Sequence, residues 1–420
     1  MEARTSPGAQ LLKRLGPGLI TGAADDDPSG IATYSQAGAA FGLNMLWTAV
    51  FSLPLMVAVQ MISARIGRVT GRGLAANMKL VFPRQVLTGL LALLFIANTI
   101  NIGADLAAMG AAAHLVFPLS QHVFTIGFAA LSLGLQIWVP YHRYVRYLKW
   151  LTLVLFAYVA VVFSLRIDWT EVAARTVFPH LALGGGAATM VVAVLGTTIS
   201  PYLFFWQASE EVEDEQAIRE APLLKSPASA PRELSRIRLD TYVGMTFSNL
   251  VAFFIILATA ATLHATGKTD IQTSAQAAEA LRPVAGNFAF LLFSLGIVGT
   301  GLLAVPVLGG SVAYAIGETR GWIIGLEKKP GEARPFYTVI RLATVLGIVV
   351  DYSSLDPIKA LFWTAVINGV ISVPIIAAMV IVASRPKIMG PFVATPLQRL
   401  LGWGVALVMA VATVAMFALS

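Results

Sequence analysis

The sequence contains no cysteine among its 420 residues, which excludes disulfides, thiolate metal sites and thiol nucleophiles. Charge is scarce as well: Asp, Glu, Lys and Arg make up 12% of the chain, against roughly 25% in an ordinary soluble domain. Histidine occurs five times, as His114, His122, His142, His180 and His264, each at the end of an apolar stretch or in a connection. None sits at mid-depth of such a stretch, where a membrane proton relay would need it. No nucleophile elbow, phosphate loop or HExxH pair occurs, so no enzyme class is indicated.

What fills the chain instead is hydrophobic sequence, 57% of residues with a mean hydropathy of +0.76. Long apolar stretches follow one another, which reads as an all-α integral membrane protein embedded in a lipid bilayer. Eleven spans are expected, near residues 15–40, 44–64, 86–116, 120–139, 146–166, 187–208, 240–264, 287–316, 337–351, 358–383 and 398–419. With the N-terminus (a tail of residues 1–14) assigned to the cytoplasm, 24 Lys and Arg fall on that side and five on the other, Arg166, Arg175, Lys268, Arg282 and Lys359. This positive-inside pattern supports an odd number of spans and a C-terminus outside the plasma membrane. It also accounts for the net charge of +7 without a nucleic-acid partner. No small-residue cleavage site follows the first span, so no removable signal peptide is read there. Trp47, Trp138, Trp150 and Trp322 near span ends read as interface anchors.

The first span is interrupted by Asp25-Asp26-Asp27-Pro28-Ser29-Gly30. Carboxylates are costly in lipid, and Pro and Gly break a helix where its backbone then needs other partners. The sixth span carries a second interruption, Gly196-Thr197-Thr198-Ile199-Ser200-Pro201-Tyr202. Two broken spans in corresponding places point to the cation or substrate site of an inverted-repeat transporter. The halves would be residues 15–166 and 187–383, with the last span, 398–419, appended. Residues 209–238, an acidic run followed by a Pro/Ser-rich basic stretch, read as a solvated cytoplasmic linker. Gly299-Thr300-Gly301 reads as a close helix contact. Asp105, after Asn98 and Asn101, is a buried acid open to three readings: relay remnant, packing partner or ion-path residue.

Gly16-Pro17-Gly18 followed by Asp27-Pro28-Ser29-Gly30 resembles the first-span pattern of the NRAMP divalent-metal transporters, GPG and then DPGN. Gly196 to Tyr202 is similar to their sixth-span GATIMPH. The resemblance implies a LeuT-like 5+5 inverted repeat with broken helices 1 and 6 plus one extra helix, and metal ions as transported substrate with no cofactor. Carried over, the family's Asp is Asp27, its Asn becomes Gly30, its carbonyl-donating Ala becomes Thr197 and its Met thioether becomes Ser200. Its sixth-span His positions become Tyr202 and Gln207, its third-span acids fall near Ala104 and Ala107, and its two Arg residues become Ile340 and Arg341.

Thioether favours transition metals, whereas oxygen donors suit hard ions, and Mg²⁺ keeps several waters. These departures resemble the bacterial NRAMP-related magnesium transporters. The expectation is therefore Mg²⁺ transport, with Mn²⁺ tolerated, uncoupled from protons and driven by the gradient and the membrane potential. The alternatives are a proton-coupled Mn²⁺ or Fe²⁺ importer and a sodium-coupled organic-solute transporter; the Asp run would repel an anionic solute. Asp27, Gly30, Thr197 and Ser200 are the expected metal site. Asp25, Asp26, Thr198, Tyr202, Asn368 and Asp105 are expected along the metal path or behind the ligands, and a monomer is expected.

Overall fold

Apolar chain in lipid must satisfy its own backbone hydrogen bonds, and a helix does so within each segment. The computed structural model describes residues 17–148, 150–180, 184–352 and 356–419, and no strand occurs among them. Gly16, the expected tail 1–14 with its Arg4, Lys13 and Arg14, and Lys149 lie outside the described residues.

Every expected span has a helical counterpart. The first comprises α1 (Pro17–Asp25) and α2 (Pro28–Phe41), and the second is α3 (Leu46–Thr70). Then come α4 (Arg84–His114) and α5 (Gln121–Trp138). The fifth span is assembled from Tyr141–Leu148, a 3-10 turn at Leu151–Leu155 and α6 (Phe156–Ser164). The sixth is α7 (Gly185–Thr198) plus α8 (Pro201–Ala217). The remainder are α9 (Ala230–Thr262), α10 (Ala289–Arg320), α11 (Arg334–Asp351), α12 (Pro357–Ala383) and α13 (Pro396–Leu419). Among the described residues, seven helical runs are long and apolar enough to cross a membrane by length and composition, so the chain is a multi-pass membrane protein. α11 falls outside those seven because its 18 residues include Arg334, Arg341 and Asp351.

Both broken spans have the same local design. Each break is two residues long, Asp26-Asp27 and Ile199-Ser200, and each is followed by a Pro at the first helical position. Pro is favoured there because its missing N–H would have had no partner in the helix. Asp27 is the N-cap of α2, extended at φ −70° and ψ 170°, with its Oδ1 accepting from Gly30 N at 2.7 Å. Ser200 is also extended, at φ −72° and ψ 132°, but does not cap α8 with its side chain.

The packing repeats itself with the halves exchanged. α2 packs on α9 as α8 packs on α3, and α4, third in its half, packs on α10, third in the other. Helices in lipid gain little from hydrophobic association, so close backbone approach matters. A Cβ at Gly22 would stand 2.3 Å from the Gly244 carbonyl oxygen on α9, and one at Gly196 would stand 2.1 Å from that of Ala365 on α12. Gly299 and Gly301 likewise lie against Leu151 and Met109, the close contact expected there.

The stretch 209–238, read from sequence as a solvated linker, is mostly helix. α8 runs to Ala217 and α9 begins at Ala230. Glu211 and Glu215 are buried, and Arg68 of α3 is 1% exposed. Arg68 reaches Glu215 at 3.2 Å, Glu233 at 3.3 Å and also Glu220. Arg236 pairs with Glu211 and, at 3.0 Å, with Glu233, and Arg232 joins Glu220 to Glu233. Buried charges persist only with such multiple partners. The acidic run looked solvated because Arg68 comes from α3, far away in sequence, and because nothing local shows that Arg236 of the following basic stretch folds back onto Glu211.

Replacing Gly22 by Ala should lower the thermal stability of the purified protein, since overpacking against rigid backbone costs about 1–3 kcal/mol. Gly89→Ala, where nothing lies within 4 Å of the new carbon, should be neutral or stabilising. Equal melting temperatures for the two variants would refute the close-contact argument.

Candidate metal site

The three consecutive carboxylates part company at the break. Asp25 Oδ2 and Asp26 Oδ1 both accept from the Ser248 hydroxyl of α9, at 2.6 and 3.0 Å. Asp27 turns toward α4, where its Oδ2 accepts from the Asn101 amide at 3.2 Å. The same amide nitrogen donates to Asp105 Oδ2 at 3.2 Å, and Asn101 Oδ1 accepts from Asn368 of α12 at 3.4 Å. Asp27, Asp105 and Asn368 are thus drawn into one chain by Asn101. Read from sequence, Asn101 is only a neighbour of Asp105 with no place in the site, and Ser248 has no role. Asn101 was findable, since it stands one turn before Asp105 and so shares its helix face; nothing in the sequence singles out Ser248.

The register between α1 and α9 explains the aim of Asp25 and Asp26. Gly18 N donates to Asp240 Oδ2 at 2.7 Å, Gly22 meets Gly244, and the next turn meets Ser248. Residues spaced by four on both helices stay in contact, as parallel helices require. Thr21 of α1 donates to Gln207 Oε1 of α8 at 2.6 Å, which fixes the other face of α1.

The second break lies across Gly30. A Cβ on Gly30 would come to 3.3 Å from the Asp25 carbonyl oxygen and 3.4 Å from Thr197 Oγ1, so the space left by the missing Asn side chain is shallow. Ser200 donates to the carbonyls of Gly196 and Thr197 at 2.8 and 2.9 Å, and Ser372 donates to that of Ile199 at 2.8 Å. Three of the carbonyls at this break, those of Gly196, Thr197 and Ile199, are therefore bonded within the protein. Thr198 Oγ1 lies 3.0 Å from the Tyr34 hydroxyl, and Tyr202 donates to the Ala24 carbonyl at 3.3 Å.

Asp25, Asp26, Asp27, Asp105, Thr197, Thr198, Ser200, Tyr202 and Asn368 are all at most 2% exposed, so the region is sealed from both sides. The partners of its four carboxylates are neutral: an amide, a hydroxyl and a backbone N–H. Asp25 Oδ1, Asp26 Oδ2, Asp105 Oδ1 and Asn368 Oδ1 have no protein hydrogen-bond partner. Clustered oxygen acceptors without a countercharge in low dielectric call for a cation. Among the described residues no three His, Cys, Asp or Glu side chains converge as a metal cage, so a cation here needs a mixed set of carboxylate, amide, hydroxyl and water oxygens. One thioether stands near: Met109, a turn beyond Asp105, packs its sulfur against Gly301. The four histidines whose side chains are described lie at helix ends or in connections; His122, for one, bonds Asp351 at 2.6 Å.

Comparison with known proteins places this architecture. The family model for natural resistance-associated macrophage protein-like proteins, Nramp, matches residues 18–419. The chain belongs to the Nramp family. Its relatives include the divalent metal cation transporter MntH of Yersinia pestis, 27% identical over 410 residues that cover 94% of this chain and 92% of that one. The Nramp fold is shared with the manganese transporter of Eremococcus coleocola, at TM-score 0.73 and 18% identity over 98% of this chain and 87% of the other. A more distant likeness, at TM-score 0.56 and 12% identity, is to Mhp1, a nucleobase-cation-symport-1 transporter, in a closed conformation, covering 96% and 92% of the two chains.

Asn101→Ala should weaken divalent-cation binding about 10- to 100-fold, the usual cost of losing a residue that orients a ligand. Isothermal titration of the purified variant with Mn²⁺ checks this, and an unchanged affinity would separate Asn101 from the site.

Proposed function

We propose that this Nramp protein carries divalent cations across the plasma membrane by alternating access, with Mg²⁺ as main cargo and Mn²⁺ tolerated, and without obligatory proton coupling. The single observation behind the choice of ion is the donor set around Asp27. Asp27, Asp105 and Asn368 present oxygen, oriented by Asn101 between them, and Ser200 occupies the place where the family has its thioether. Oxygen donors suit a hard ion that keeps part of its hydration shell. Asp27 is the central ligand in this reading, with Thr197 beside Gly30, while Asp25 and Asp26 supply negative potential next to it. The family relatives named as divalent metal cation transporters support the broader class.

Coupling to protons is not needed energetically. A divalent cation moving inward gains about 4.6 kcal/mol per 100 mV, twice the 2.3 kcal/mol of a single charge. The orientation that makes this entry, with the N-terminus inside, rests on the distribution of Lys and Arg. A second reading, proton-coupled Mn²⁺ import, has one observation in its favour: Asn101 links the Asp27 carboxylate to a second buried acid, Asp105.

Liposomes containing the protein and indicators for Mg²⁺, Mn²⁺ and internal pH separate the two. Entry of both metals at constant lumenal pH is expected, and Asp27→Ala should abolish it. Mn²⁺ entry that acidifies the lumen, with no Mg²⁺ entry, would establish the second reading instead. Ser200→Met should raise Mn²⁺ uptake relative to Mg²⁺; an unaltered ratio would sink the argument from ligand softness.

A further inference from the structure

Away from the metal site, a cavity of about 580 Å³ opens where α4 begins and α10 ends. Its polar side is made by Lys79, Arg84 and Arg320, and its apolar side by Phe82, Leu87 and Leu91. Lys79 ends the short helix Leu74–Lys79 and donates to the Thr319 carbonyl at 2.8 Å. Arg84 is the first residue of α4 and Arg320 the last of α10. Among the described residues none of these cations pairs with a carboxylate. Glu318, two residues before Arg320, is already held by Ser209 Oγ at 2.7 Å and Ala76 N at 3.1 Å.

This contrasts with Arg68 near the end of α3 and Arg232 and Arg236 near the start of α9, each of which pairs with at least two Glu carboxylates. The unpaired trio lies at the polar edge of the helix bundle, on the end richest in Lys and Arg. Beside it, Leu80 and Val86 are 58% and 47% exposed, as side chains facing lipid would be. The N-terminus of α4, a helix of 31 residues, adds its positive dipole end and free amides. Cations at headgroup level over an apolar wall make a two-part surface, which fits a molecule with an anionic head and a hydrocarbon tail.

We propose that this cavity binds the phosphate headgroup of an anionic phospholipid from the leaflet facing this end, with Lys79, Arg84 and Arg320 on the phosphate and the first acyl carbons against Leu87 and Leu91. Basic pockets between membrane helices are suited to such headgroups. Bound there, the lipid would bridge α4, which carries Asn101 and Asp105, to α10, which packs along it.

The test uses full-length protein, delipidated in neutral detergent and titrated with phosphatidylglycerol or phosphatidylcholine, with retained lipid read by native mass spectrometry. Phosphatidylglycerol should be retained in preference to phosphatidylcholine. Arg84→Gln/Arg320→Gln should weaken retention about 25-fold, at roughly 5-fold for each cation removed, while Arg84→Lys/Arg320→Lys should keep most of it. Thr88→Trp, which fills the cavity without removing charge, should also abolish retention; it remains informative if the double Gln variant does not fold. Unchanged retention in the Gln and Trp variants would overturn the proposal. So would an equal loss from Arg399→Gln, an exposed cation elsewhere on the same end, which would signal diffuse attraction only. Full displacement by inorganic phosphate at the concentration of the lipid would mark a free-anion site and overturn it too.

Discussion

Asp27 is the residue on which both the local fold and the candidate chemistry depend. One carboxylate oxygen caps α2 through Gly30, and the other reaches the Asn101 amide on α4. The helix break is thereby held in shape by the same group that faces the site. Caps of this kind contribute roughly 1 kcal/mol to a helix, but here the cap also sets where the charge points. A substitution that removes the carboxylate therefore disturbs the start of α2 as well as the site. Asn at this position retains a cap acceptor and loses the charge, so it separates the two effects.

The carboxylates can be buried together only because the helices around them come close. Gly22 against Gly244 brings Asp25 and Asp26 to Ser248, and Gly196 against Ala365 and Gly369 brings α7 to α12, beside Asn368. Each contact of small residues lies about one turn from a polar contact. Backbone proximity and polar satisfaction are thus one device in this bundle, as expected where lipid supplies no hydrophobic drive between helices.

Much of this was legible in the sequence. The eleven spans, the two breaks and their Pro residues follow from hydropathy and from the positional preferences of Pro and Asp, which act locally. The position of Asp27 follows too, because an Asp-Pro pair is itself a helix-start signal. What sequence reading could not supply were partners from other helices. Ser248 is one of many serines, and only the register of α9 against α1 gives it a role. The Glu run after Gln207 looked like a solvated face because Arg68, the counter-ion of Glu215, lies over a hundred residues earlier, and nothing local sets Arg236 against Glu211. Ser200 shows the reverse: its place in the motif was readable, but its hydroxyl turned out to bond the carbonyls of its own half-helix.

The hydrogen-bond inventory bears on what an ion at Asp27 can bind. A primary amide has two donors and one acceptor oxygen. Asn101 directs its donors to Asp27 and Asp105 and its oxygen to Asn368, leaving it little to offer an ion. An ionised carboxylate has about four acceptor positions, and the Gly30 and Asn101 bonds to Asp27 occupy two. Asp105 Oδ1 and Asn368 Oδ1 add acceptors on either side of Asn101 that are not engaged by the protein. These oxygens stand on three different helices, α2's cap, α4 and α12, rather than in a tight ring. Waters that donate to them while binding the metal through oxygen would span that spread with good geometry. A bare transition-metal ion, by contrast, gains most from direct contact with nitrogen or sulfur. The spread of these neutral-bridged acids is thus the geometric ground for proposing a cargo that retains part of its hydration.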